Sequence, residues 1–415
     1  MTKIITGPHG VYGWPWCFPE GPHHQVWPDP SDPIWEFDWY LGCEPEGLQI
    51  SRAYFRGRDV FYKATTPILR VQYDPIDHLV REFRDHLNWQ NSHWIDIYEG
   101  VATNAPVRYI AIDTYYNRGI GNYRILQRWV LWENGVIDAR VFSRGEQWPA
   151  NHRHHIYWRF DFDIDHPSNN LVLEWQGYGN YGYGDGWLPL TIEAARNKQE
   201  FLRPDGSTDG TSWAVIDKDT GSGYQISPGE NDGVADAFSA FDLAVERYHG
   251  WEDDLPCRIA SAQNDQVADL INGESVDGED VVVWYVGHLF HDVSDNGRDW
   301  HETGARLIPI QLSVPPPNAP TVKIIMPISD PNLTFSPDQP ITFQATVQTA
   351  PGITIAEDNI LWNDSSDGFL GSGSVIQHTL SGGVPAVHLV TVSVTDSAGG
   401  TASDSVRILV SNPIT

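Results

Sequence analysis

Apolar and polar positions alternate along most of this chain, and the alternation has a period of two. Runs rich in Val, Ile, Tyr and Trp, such as "RYIAIDTYY" at 108–116, "YRILQRWVLW" at 123–132 and "VVVWYVGHLF" at 281–290, read as strands. Turn-forming stretches punctuate them, among them "ENG" at 133–135 and "YGNYGYGDGW" at 178–187. Helical spacing is confined to two short segments. "IDHLVREFRDHL" places apolar residues at 76, 79, 80, 83 and 87, and "VADLING" begins at Val267. No repeat of fixed period is present, which argues against a propeller or solenoid. The pattern predicts a mostly β protein.

The proline run in "SVPPPNAPTVKI", residues 313–324, enforces an extended spacer, and composition changes beyond it. Of the 18 Trp residues, Trp362 alone lies after Thr321. "HLVTVSVTDSAGGTASDSVRILV" at 388–410 alternates apolar with small polar residues around a Ser/Ala/Gly turn, as two paired antiparallel strands would. This segment resembles the immunoglobulin-like modules appended to many bacterial surface and secreted enzymes. The expected organisation is a large domain over 1–314, a linker at 315–320 and a β-sandwich over 321–415.

Charge narrows the partners. With 55 acidic against 26 basic residues the formal net charge is -29, which repels nucleic-acid backbones and anionic lipid. Cys17, Cys43 and Cys257 allow at most one disulfide, and no CxxC pair suggests a zinc knuckle. No run of 18 apolar residues predicts a membrane span, and "TKIITGPHGVYGWPW" after Met1 lacks the form of a signal peptide. If the protein is exported, its signal has been removed from this chain.

Candidate chemistry concentrates in "NHRHHIYWRFDFDID", residues 151–165. On a strand, His152 and His154 share one face and His155 takes the other. Imidazoles at i and i+2 form a two-point claw suited to copper or zinc, with His288, His291 or His301 available as a third ligand. Asp161 and Asp163, with Asp280 before the later strand, offer the oxygen donors that calcium prefers. Imidazole and carboxylate favour different ions, so two separate sites are expected.

Four blocks in order resemble the catalytic domain of the copper-containing amine oxidases. These are "EGLQISRAYFRGRDVFYKATTPILRVQYDP" at 46–75, "GNY" at 121–123, "HRH" followed by "WRFDFDID", and "DVVVWYVGHLFH" at 280–291. The resemblance implies a β-supersandwich, two large twisted and mainly antiparallel sheets packed face to face. It implies that Tyr123, in its Asn122-Tyr123 motif, is the precursor of topaquinone, and that His152, His154 and His291 hold copper. His291 is preferred to His288 because Asp280 precedes it by the family's spacing. Asp161, Asp163 and Asp280 match the family's calcium site. Phe83-Arg84-Asp85 fits the triplet of channel gate and catalytic base, Phe83 as gate and Asp85 as base, with Tyr73 contacting the quinone.

The implied activity is oxidative deamination of a primary amine by dioxygen, giving aldehyde, ammonia and hydrogen peroxide. A homodimer is implied with it, and copper together with the terminal sandwich points to a periplasmic or extracellular location. Arg124 stands where the family carries an acid, and the segments flanking Tyr123 are shorter than the family's. Those departures keep two alternatives open: a mononuclear copper oxidase or peptide-modifying enzyme with Tyr123 unmodified, and a non-catalytic copper-binding or adhesion protein on the same fold.

Overall fold

The computed structural model describes residues 2–8, 20–42, 47–76, 79–85, 92–116, 123–146, 149–180, 185–202, 207–250, 267–295, 297–311, 320–327, 334–349, 352–364, 366–381, 386–397 and 401–410. Asn122, the three cysteines and nearly all of the expected linker lie outside them, as do the side chains of Phe83 and Asp85. Among the described residues there is no α-helix, only short 3-10 turns.

Two large sheets dominate. One has 11 described strands and includes Arg124–Trp132 and Ile137–Arg144. The other has 9, with His152–Phe162 at its centre between Val281–His291 and the 19-residue strand Arg58–Ile76. Their facing sides share one continuous core, in which Trp35, Trp129, Trp158 and Trp213 are fully covered. Even-numbered residues of His152–Phe162 point into that core. Odd-numbered Tyr157 joins a smaller cluster on the reverse side with Val282, Trp284 and Phe241. Burial on both faces explains why Val281–His291 reads as an unbroken apolar run.

Among the described residues, the helical spacing at 76–87 produces no helix. Leu79–Asp85 is a strand paired antiparallel with Arg58–Ile76, with Phe83 opposite Val71 and Asp85 opposite Leu69. The long neighbouring strand supplies hydrogen-bond partners along its edge, and sheet pairing overrides the local period. "VADLING" shrinks likewise to a 3-10 turn at Ala268–Leu270.

Beyond the linker, a three-stranded and a five-stranded sheet enclose a separate core around Trp362 and Phe343. Ala386–Thr395 and Thr401–Val410 form the hairpin that alternation predicted. A buried polar seam ties this unit to the first. Asp404 accepts hydrogen bonds from Tyr54 Oη at 2.7 Å and from the backbone amide of Ile324 at 2.5 Å, and it lies 3.3 Å from Arg52 Nη2. The same guanidinium donates to the Ile324 carbonyl at 2.6 Å, and Lys323 pairs with Glu36 alongside.

Candidate metal centre

The site forms where the two large sheets meet. Register sets it: His152 lies opposite His291 on one side and Tyr73 on the other, so the three side chains share the inner face. His154, two residues along, joins them. One nitrogen from each of His152, His154 and His291 falls within a span of 4.8 Å, and all three residues are buried. His288 does not join; it faces the reverse side.

Tyr123 enters from the facing sheet, at the start of the strand Arg124–Trp132. Its hydroxyl lies 2.9 Å from His152 Nε2 and touches the Tyr73 hydroxyl. Its ring meets His154 edge-on at 5.0 Å, while Tyr73 stacks on His152 at 4.7 Å. His152 Nδ1 is committed to the Ala150 carbonyl at 3.0 Å, which fixes the tautomer and turns the Nε2 lone pair inward. Arg124, the residue after Tyr123, is exposed, and water screens its charge.

These residues fit a soft divalent ion. Neither ring nitrogen of His154 has a hydrogen-bond partner, although the residue is completely buried. Native interiors seldom leave such atoms orphaned, and a metal would satisfy one of them. Burial, and after it the neighbouring imidazoles His152 and His291, hold the His154 pKa well below the ordinary histidine range. The imidazole is thus kept neutral, the form that ligates metal.

His301 is a fourth histidine beside the triad, its ring 4.2 Å from that of His291. It comes from the facing sheet, on the strand His301–Thr303. His301 also lines a pocket of about 430 Å³, together with Glu230, His288, Phe290, Trp300 and Glu302. Spacing alone gave no sign that His301 would close on His291, because the contact crosses between sheets.

The reverse face of the same strands carries a different network. His155 and His288 sit directly opposite one another, with their Nδ1 atoms 2.8 Å apart. His288 Nε2 donates to the Phe241 carbonyl at 3.1 Å, so its Nδ1 accepts from His155. Burial first, then the neighbouring His288 imidazole, which disfavours a second proton on the pair, pushes the His155 pKa down to about 3.

The carboxylate set gathers at the far end of the histidine strand. Asp161, Asp163 and Asp280 bring oxygens within 4.8 Å of one another, with Arg159 Nη1 3.4 Å from Asp161. Burial, followed by the charges of Asp404, Asp163 and Asp165, drives the neighbouring Asp59 carboxyl well above the usual range. That corner holds surplus negative charge, and an oxygen-seeking cation would relieve it.

No protein-family model matches the chain, and no characterised protein matches it by sequence. Solved structures do match by shape. The amine oxidase of Aspergillus nidulans aligns with a TM-score of 0.52 at 17% identity, over 67% of this chain and 50% of that one. A copper-containing benzylamine oxidase from Hansenula polymorpha aligns with a TM-score of 0.52 at 15% identity, over 71% of this chain and 62% of its own. This chain therefore spans less than two thirds of either structure, and identities this low speak to fold. By fold, the chain is similar to the amine oxidases, one of these two being copper-containing.

Proposed function

We propose that this protein is a copper- and topaquinone-dependent oxidase of primary amines. One observation carries the reading: a buried triad of His152, His154 and His291 has the Tyr123 hydroxyl 2.9 Å from one of its nitrogens. Copper held by the three histidines would supply the dioxygen chemistry that turns the Tyr123 ring into a quinone, and the quinone would supply the electron sink for amine oxidation. The chain's own residues do the rest. His152 is held in one tautomer by the Ala150 carbonyl, and Tyr73, on the strand beside that of His152, touches the Tyr123 hydroxyl across the two sheets and orients it. Asp85 is assigned as the base that removes a proton from the carbon beside the amine nitrogen, with Phe83 at the channel mouth and Asn122 flanking the quinone. The balanced reaction consumes amine, dioxygen and water and releases aldehyde, ammonia and hydrogen peroxide.

Asp161, Asp163 and Asp280 are proposed to hold calcium. A homodimer and an exported location belong to the same reading. Arg124, the departure that favoured an unmodified tyrosine, is exposed, and water screens its charge from the phenol.

The test is aerobic copper loading followed by tryptic mass spectrometry of the peptide 119–124, which contains Tyr123. A quinone mass and a coloured phenylhydrazine adduct are expected. A normal tyrosine mass in protein that has bound copper would leave a copper oxidase with Tyr123 unmodified or a non-catalytic copper-binding protein; failure to bind copper would overturn the reading.

A further inference from the structure

A third ligand cluster lies in the C-terminal unit, apart from the triad and the carboxylate set. Asp364 ends the strand Ile360–Asp364, and its Oδ2 accepts from the amides of Ser366 and Asp367, each at 2.8 Å. Asp367 follows in the turn, where its carboxylate accepts from Ser381, 2.8 Å away at the amide. His388 belongs to the paired strand Ala386–Thr395, and its Nδ1 lies 2.9 Å from Asp364 Oδ2. Asp364, Asp367 and His388 each offer a ligand atom within 4.8 Å of the others.

Two atoms in this cluster lack partners. His388 Nε2 and Asp364 Oδ1 have no hydrogen bond, although their residues are only 1% and 6% exposed. A buried polar atom left unpaired is costly, and so marks a place where something else binds. The two residues also come from different strands, so nothing in local turn chemistry accounts for the histidine.

We propose that Asp364, Asp367 and His388 bind one divalent cation of the zinc class. One imidazole and two carboxylates match zinc's mixed nitrogen and oxygen preference, whereas calcium requires six to eight oxygens. Asp367 is only half-buried, so water can complete the coordination from that side. The ion would cross-link two adjacent strands beyond the turn. This site is independent of the copper reading.

The experiment uses the full chain, first loaded with copper and saturated with calcium, then dialysed against limiting free zinc and counted by plasma mass spectrometry. The native chain should retain one equivalent of zinc, with one imidazole among oxygen ligands in its X-ray absorption spectrum. Asp367→Asn and His388→Gln should each lose that equivalent while keeping the copper. If His388→Gln fails to fold, Asp367→Asn decides, since its side chain is isosteric and half-exposed. Absence of zinc in the native chain, equal zinc in the variants, or displacement of zinc by excess calcium would each overturn the proposal.

Discussion

His154→Leu separates metal binding from folding. In the metal-free protein the imidazole occupies a sealed site with neither nitrogen hydrogen-bonded. Each buried unsatisfied group costs about 1–3 kcal/mol, and leucine fills a similar volume without one. Metal-free His154→Leu should therefore be as stable as the native chain, or more stable by up to about 2 kcal/mol. Copper reverses the order. At free copper of about 100 times Kd, the native chain gains about 2.7 kcal/mol by mass action, and the variant should gain nothing. Urea unfolding followed by tryptophan fluorescence, with and without copper, measures both differences. A metal-free loss above about 3 kcal/mol would mean that the imidazole has partners the geometry does not provide. An undiminished copper-dependent gain would refute the triad itself.

Exchanging His291 for Ala should abolish stoichiometric copper binding, whereas His288→Ala should keep it, at a stability cost of about 2–5 kcal/mol from the cavity it leaves; copper titration with unfolding curves checks both. His155 has a folded pKa of about 3 against 6.5 for the free side chain, so the unfolded chain binds the extra proton as pH falls below 6.5. Stability of the metal-free protein should then fall by up to about 1.4 kcal/mol per pH unit below that point, with full stability above it; a flat profile down to about pH 4.5 would contradict the burial of this ring. Asp404→Ala strips the partner from buried Arg52 and from Tyr54, costing about 3–5 kcal/mol, and Asp404→Asn should cost less. Hydrogen exchange at the amide of Ile324 reads the opening of the seam, and unchanged exchange in the alanine variant would show that the seam contributes nothing.

Much of the fold was written in the period-two alternation, and the division of labour along 151–165 followed from it: even residues turned inward to the triad, odd ones to the reverse face. Asp161 and Asp163 likewise came together with Asp280 once the neighbouring strand ran antiparallel. The segment at 76–87 misled because its apolar spacing suits a helix, while the hydrogen bonds that decide the matter belong to a strand nearby in space. His301 was visible as a residue but not as a neighbour of His291, since its approach depends on how one sheet packs on another. The pairing of Asp364 with His388 was hidden for a related reason: 24 positions separate them, and only strand register closes the gap.

The two-sided histidine strand also makes length matter more than identity. Replacing Ile156 or Trp158 with another apolar residue would repack a core, a local repair. Inserting one residue after His155 is a different kind of change, because every later side chain would trade faces: Phe160 and Phe162 would turn outward, and Asp161 would turn into the shared core of the two sheets. The pair His152 and His154 would be left intact on a strand that no longer knows which side is in. Deep insertion and deletion scanning between His152 and Asp161 should therefore find almost no tolerated change of one residue, and more tolerance for changes of two.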